Sequence, residues 1–201
     1  MARPRSDLAP RIVHAARDVF ARTGVDLASL RQIARAAGTN IGMIYYYFPT
    51  KDDLFHAVVE EIYEELLADL NRLLAEPASV RDRLVRLYQR VGALTDVERE
   101  VIAIVIREVL ISEPRRRWII ERFLHGHVPM VLGLIAEGQR TGELDPARHP
   151  ALILVCTAAL ATLPQQALRL LPFGPSVAGD DLPRTLVDIL FGGLAPRASA
   201  R

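Results

Sequence analysis

Apolar side chains recur every three or four residues along almost all of this 201-residue chain, which is the spacing that lines one face of an α-helix. Strict alternation of apolar and polar residues, typical of a half-buried strand, is scarce. The pattern predicts an all-α fold of about nine helices, the seventh of them broken near Gly126 or Pro129. The predicted helices run from about Asp7 to Thr23, Ser29 to Gly38, Asn40 to Tyr47, Lys51 to Glu76, Ser79 to Leu94, Thr95 to Ile111, Arg115 to Thr141, Pro150 to Leu171 and Leu182 to Leu194.

Two of the predicted helix starts carry a longer signature. Ser29 is followed three residues later by Gln32, and Thr95 is followed by Glu98. Each pair has the spacing of a capping box, in which the two side chains accept hydrogen bonds from each other's backbone N–H groups. We expect both boxes to form.

Composition and apolar runs exclude several classes of protein. Half of the residues are apolar, so extensive disorder is not expected. Cys156 is the single cysteine; it rules out an internal disulfide, fits the cytoplasm and is expected to be buried. No apolar stretch follows the basic N-terminus, so no secretory signal is expected. The longest apolar run, Ala151–Leu163, is too short to span a bilayer and predicts a buried helix.

Basic residues are concentrated at the start of the chain. Residues 1–51, which include Arg3 and Arg5, carry a net charge of +5, whereas the remainder carries −4. Lys51 is the only lysine among the 25 basic residues. This asymmetry indicates that the N-terminal quarter meets a polyanion.

Two short predicted helices, separated by a turn at Gly38, have the layout of a helix-turn-helix. Thr39 or Asn40 can cap the second helix, and Ile44 and Phe48, four residues apart, supply its buried face. Three of the chain's five tyrosines lie together on its other faces. Tyrosine hydroxyls and helix N-termini bind phosphate oxygens, so this segment is a candidate for contact with nucleic acid.

In order and spacing, residues 11–55 resemble the DNA-binding domain of the TetR/AcrR family of bacterial transcriptional regulators. The resemblance implies a DNA-binding domain at 1–53 and an effector-binding and dimerisation domain at 54–201. It also implies a homodimeric, ligand-responsive regulator, usually a repressor, that binds a palindromic operator and is released by a small molecule. The matching residues are Arg11, Ile12, Ala15, Ala16, Phe20, Gly24, Ile33, Ala34, Ala37, Gly38, Gly42, Ile44, Tyr45, Tyr46, Tyr47, Phe48, Lys51 and Leu54.

The same resemblance places the second helix of the helix-turn-helix in the major groove as the recognition helix. The residues that correspond by position to contacts with the DNA backbone are Ser29, Arg31, Tyr45, Tyr46, Tyr47 and Lys51. The residues that correspond to positions within reach of base edges are Asn40, Ile41, Gly42 and Met43, with Thr39 beside them.

Three of these positions depart from the family pattern. Thr39 replaces a common valine and can act as a cap instead. Ile41 and Met43 stand where polar or basic residues are common, and neither can donate a hydrogen bond to guanine. Both can pack against thymine methyl groups. We therefore expect part of the sequence specificity to come from DNA shape.

The larger C-terminal part resembles the family more loosely, at Glu113-Pro114, Phe123, Ile135–Gly138 and Gly142–Leu144. The resemblance implies that the last two predicted helices pair with those of a second copy in a four-helix bundle. It also implies a partly apolar effector, bound among the preceding helices. The candidate effector-binding residues are Tyr88, Arg107, Trp118, Phe123 and His127.

Two alternatives stay open. A helical enzyme would be expected to show a glycine-rich phosphate loop, a nucleophile elbow or a zinc-type His/Glu pair, and the sequence has none of these motifs. A TetR-like protein acting through protein contacts would lack the basic N-terminal quarter. His125 and His127 lie two residues apart, on different faces of a helix, so neither a metal site nor a cofactor is expected.

Overall fold

The computed structural model describes residues 7–172 and 181–194. These ranges contain ten α-helices and no strand, as the hydrophobic pattern predicts. Arg3, Arg5 and the predicted loop residues Gly174, Pro175 and Gly179 lie outside the described residues. The helices are α1 (Leu8–Thr23), α2 (Leu30–Ala36), α3 (Ile41–Tyr47), α4 (Lys51–Ala75), α5 (Val80–Gly92), α6 (Asp96–Ile111), α7 (Glu113–Leu124), α8 (His127–Thr141), α9 (Pro150–Leu170) and α10 (Leu182–Leu194).

The tenth helix arises because the seventh predicted helix is two helices. α7 ends at Leu124, and Gly126 is the N-cap of α8, so the predicted break at Gly126 is confirmed. Pro129 lies in the first turn of α8, where its missing N–H costs no hydrogen bond within the helix.

Of the two predicted capping boxes, the structure contains one. At α6 the Thr95 side chain accepts from the Glu98 N–H and the Glu98 side chain accepts from the Thr95 N–H. At α2 the Ser29 side chain makes no capping bond, so that predicted box is wrong. Capping depends on the local rotamer, which the spacing of two residue types does not determine.

The described residues pack as two compact units. The first draws on residues 7–66 and 95–121, and the second on residues 67–94 and the described residues from 122 onward. The helix-turn-helix therefore shares a unit with α6 and most of α7. The domain boundary at residues 53 and 54 stays a prediction. The fully buried side chains of the first unit include Ile12, Phe20, Ile33, Ile44, Leu54, Phe55, Ile104 and Ile119.

The second unit is built on α5, α8, α9 and α10, with a core that includes Leu84, Tyr88 and Ile135. Gln165 of α9 donates its side-chain amide to the backbone oxygen of Tyr88 at 3.0 Å. Arg169 donates to the backbone oxygen of Gly92 at 2.8 Å. Side chains of α9 thus bond two carbonyl groups near the end of α5, and that of Gly92, the last residue of the helix, has no partner within it.

α9 differs from the expectation of a buried helix. It has 21 residues, longer than the apolar run within it, and by length and composition it could cross a membrane. One such helix is weak evidence for a membrane protein. Leu152, Val155, Leu163 and Leu170 are 55–86% exposed and share one face of the helix. Cys156, expected to be buried, is only half-buried. The expectation was wrong for the single chain because apolar composition does not say which face finds a partner in the same chain.

Replacing glycine by alanine is expected to have opposite effects on stability at two positions of α8. A Cβ at Gly138 would lie 2.9 Å from Leu144 Cδ1, in a fully buried contact, whereas a Cβ at Gly133 meets nothing within 4 Å. We expect Gly138→Ala to lower the free energy of unfolding by about 1–3 kcal/mol through overpacking. Gly133→Ala is expected to raise it by about 0.5–1 kcal/mol because alanine is the better helix former.

Urea denaturation followed by circular dichroism measures both changes. An equal response of the two variants would contradict the packing described around Gly138.

Candidate functional site

The turn between α2 and α3 is held by Arg11 and shaped by Gly38. Gly38 has a φ of +64°, in the left-handed region that favours glycine. A Cβ there would lie 2.7 Å from Arg11 Nη2. That Nη2 donates to the backbone oxygen of Ala37 at 2.6 Å. The first helix is thereby bonded to the turn that orients the third.

α3 is anchored by Ile44, which is fully buried. The Asn40 side chain accepts a hydrogen bond from the Met43 N–H at 3.1 Å, so Asn40, and not Thr39, caps the helix. A Cβ on Gly42 would lie 3.1 Å from that Asn40 oxygen. Asn40 and Gly42 are exposed, and Ile41 and Met43 are half-buried. The predicted base-reading residues therefore lie along the first turn of α3.

The three tyrosines of α3 differ in exposure. Tyr45 is 51% exposed and Tyr46 is 76% exposed. Tyr47 is half-buried, with its ring edge-on to Tyr46 at 5.2 Å between centroids and tilted against Phe48 at 6.4 Å. Tyr45 and Tyr46 thus present large aromatic side chains to solvent, while Tyr47 also supports its neighbours.

Lys51 has contacts within the chain that the sequence did not indicate. Its Nζ donates to the backbone oxygen of Asp26 at 2.7 Å and to that of Ala28 at 3.4 Å. Lys51 therefore braces the loop that leads into Ser29, which is half-buried, and Arg31, which is exposed. An ammonium group carries three protons, so the two bonds leave capacity for a phosphate oxygen.

At this loop lies a charged cluster formed by Arg115, Asp26, Asp52 and Glu108, here called the Arg115 cluster, in which Arg115 and Glu108 are buried. The Arg115 guanidinium bonds Asp26 at 2.8 Å, Asp52 at 2.8 Å and Glu108 at 2.7 Å. The hydrogen bond from Arg115 lowers the pKa of Asp26 below its ordinary value. Arg115 is therefore a buried ion-pair partner of three carboxylates.

Two of the five effector candidates lie in the first unit. Arg107 Nη2 donates to the backbone oxygen of Phe20 near the end of α1. The ring of Trp118 stacks on His56, with 3.9 Å between centroids and 13° between planes. Burial lowers the pKa of His56 below its ordinary value. Both candidates thus contact residues of the unit that carries the helix-turn-helix.

The other three candidates lie in the second unit. Tyr88 is fully buried, and its hydroxyl lies beside the Thr157 hydroxyl, with no other hydrogen-bond partner for either group among the described residues. Burial raises the pKa of Tyr88 well above its ordinary value. The rings of Phe123 and His127 meet edge to face at 4.8 Å. Whether any of the five binds an effector stays a prediction.

An open cleft of about 450 Å³ also lies in the second unit. It is lined by Arg81, Glu143, Asp188, Phe191 and Gly192. Arg81 pairs with Asp188 and lies over the Phe191 ring at 5.0 Å from the centroid. None of the five effector candidates lines this cleft.

Residues 12–58 match the family described as "Bacterial regulatory proteins, tetR family". The fatty acid metabolism regulator protein of Bacillus subtilis is 25% identical over 134 residues, which cover 67% of this chain and 69% of that protein. The HTH-type transcriptional regulator AcrR of Shigella flexneri is 34% identical over 116 residues, or 57% of this chain and 46% of AcrR.

The fold has solved counterparts. The crystal structure of the transcriptional regulator FadR from Bacillus subtilis in complex with stearoyl-CoA aligns with a TM-score of 0.74, at 21% identity, over 92% of this chain and 98% of FadR. These relatives are named as transcriptional regulators, not enzymes. The helix-turn-helix of α2 and α3 lies inside the segment that matches the tetR family of bacterial regulatory proteins, and the chain as a whole has the fold of solved transcriptional regulators.

Proposed function

We propose that this regulator is a repressor that binds a palindromic operator as a homodimer and leaves it when a small molecule binds. The observation that carries the proposal is the outer face of α3, where Tyr45 and Tyr46 are exposed on a helix anchored from behind by buried Ile44. Such a helix presents hydroxyls and a capped N-terminus to a partner, and both bind phosphate oxygens.

The proposed DNA contacts fall into two groups. Ile41 and Met43 pack against base edges, with Asn40 and Gly42 beside them, and read thymine methyl groups and shape. Support for this assignment comes from their common position on the first turn of α3. The proposed contacts to the backbone are made by Ser29, Arg31, Tyr45, Tyr46, Tyr47 and Lys51, and Thr39 lies beside the residues that read the bases.

The proposed dimer forms through α9 and α10. Leu152, Val155, Leu163 and Leu170 make an exposed apolar stripe on α9, and Ile189 is 58% exposed on α10. Water-exposed apolar faces of this kind are typical of permanent subunit interfaces. A dimer presents two recognition helices to the two halves of a palindrome, which one helix with few base contacts needs. This interface favours a cytoplasmic protein over one that inserts α9 in a membrane.

The proposed effector has a long apolar part and at least one polar group. The apolar side chains of the second unit suit the apolar part of the effector. The buried hydroxyls of Tyr88 and Thr157 can form hydrogen bonds with its polar group. The stearoyl-CoA held by FadR supports acyl-CoA as the class to test. The effector acts by binding better to the conformation that does not fit DNA.

A gel shift with the DNA that flanks the chain's own gene tests the proposal. We expect retardation at 100 mM salt, and release of the DNA on addition of stearoyl-CoA but not of coenzyme A alone. If the protein binds the DNA but stearoyl-CoA does not release it, only the assignment of acyl-CoA as the effector is contradicted. A dimeric protein that binds no duplex, even at low salt, would instead favour a regulator acting through protein contacts.

A further inference from the structure

Arg115 joins three separate elements of the first unit. Its Nη2 bonds Asp26 in the loop between α1 and α2, its Nε bonds Asp52 in the first turn of α4, and its Nη1 bonds Glu108 of α6. Each guanidinium nitrogen thus holds a different carboxylate. Because the guanidinium is a rigid planar fork, three simultaneous bonds restrict the relative positions of those elements more than one flexible ammonium could.

Burial makes this cluster resistant to rearrangement. Arg115 is 8% exposed and Glu108 is fully buried. A buried carboxylate that loses its cation carries a large desolvation penalty, so the pair of Glu108 and Arg115 stays together. Asp26 and Asp52 reach the cluster from the surface, with side chains 65% and 48% exposed. Asp26 and Asp52 are therefore held by the Arg115 guanidinium, which is fixed by its pairing with buried Glu108.

A second bond from α6 acts on the end of α1, next to the loop that contains Asp26. Arg107, next to Glu108, donates to the backbone oxygen of Phe20. Lys51 holds the backbone oxygens of Asp26 and Ala28 from the start of α4. The last turn of α1 and the segment that follows it are thus each bonded by side chains from other parts of the chain.

We propose that Arg115, which lies far along the chain from the helix-turn-helix, is a positioning residue for DNA binding. Through Asp26 it holds the loop that presents Ser29 and Arg31, and through Asp52 it holds the turn that carries Lys51. The inference rests on the proposed DNA-binding function, since it concerns the residues that approach the backbone. It makes the position of α7 part of the DNA-binding conformation.

Asp26→Asn tests this proposal because two physical effects predict opposite signs. Removing a negative charge three residues from Ser29 reduces repulsion from DNA phosphates, which by itself tightens binding. Replacing the carboxylate by a neutral amide weakens the bond to Arg115 and loosens the loop, which weakens DNA binding. We expect the dissociation constant to rise about tenfold, the size expected when a hydrogen bond between charged partners becomes one to a neutral amide.

The control is Asp18→Asn, which removes the same charge from an exposed position of α1. It is expected to bind as tightly as the wild type or more tightly. The measurement is fluorescence anisotropy at 100 mM salt with a labelled duplex from beside the chain's own gene. Amide hydrogen exchange of the free protein adds a second measurement, and we expect faster exchange over residues 24–30 in Asp26→Asn alone.

Asp26→Glu, which keeps a carboxylate, is expected to recover part of the affinity. Equal or tighter binding by Asp26→Asn, with unchanged exchange in the loop, would overturn the proposal while leaving the DNA-binding function intact. A wild-type protein that binds no duplex would overturn the function, and the inference with it. The two failures are therefore distinguishable.

Discussion

A Val155→Arg variant is expected to run as a single chain of 22.3 kDa on a sizing column, whereas the wild type runs at about twice that mass as a dimer. Val155 is 63% exposed in the apolar stripe of α9. A symmetric interface would have to bury two arginine charges against apolar surface, at a cost of about 4 kcal/mol or more, or about a thousandfold in the dissociation constant. Analytical ultracentrifugation measures the change.

The same variant is expected to lose operator binding, because a single recognition helix has too few base contacts to hold the site. Gln89→Arg is the matched control, since it adds one charge at an exposed position of α5. It should leave the dimer and its DNA binding unchanged. Recovery of the wild-type chain in the membrane fraction would contradict a dimer built on α9 and favour its insertion in a bilayer.

Operator affinity is expected to fall by about three to five decades between 50 and 200 mM salt, the range for six to ten phosphate contacts. The charge that drives it belongs to the first 51 residues, which carry a net +5. Fluorescence anisotropy over a salt series gives the slope of log affinity against log salt. A shallow slope, below about one decade over this range, would contradict binding through phosphates.

The slope also separates the two roles of Lys51. If Lys51 binds a phosphate in each subunit, Lys51→Met reduces the slope by about two for the dimer. If it only braces the loop through the carbonyls of Asp26 and Ala28, affinity falls and the slope stays the same. Arg22→Met, an exposed basic residue in the last turn of α1, is the control for general charge.

Tyr45→Phe has a different expected signature in the same salt series. It removes a neutral hydroxyl, so it should weaken binding by about tenfold without changing the slope. Unchanged affinity would mean that the Tyr45 hydroxyl makes no bond to the backbone.

Local patterns in the sequence were sufficient to predict the positions of the helices and which face of α3 is exposed. The three- and four-residue spacing located nearly every helix, and Gly126 marked the break between α7 and α8. The capping residues Asn40 and Thr95 act over three residues, so their partners are readable in sequence. The exposure of Tyr45 and Tyr46 follows from the burial of Ile44 on the opposite face.

Only the tertiary structure showed which partners the charged side chains of Arg115 and Lys51 bond. Arg115 finds Asp52 across 63 positions of sequence, and Lys51 bonds carbonyl groups that 23 and 25 positions separate from it. α9 is apolar by composition, yet only the packing showed that one of its faces is left exposed. Helical periodicity is set by neighbours along the chain, whereas ion-pair partners and burial are set by which helices meet in space.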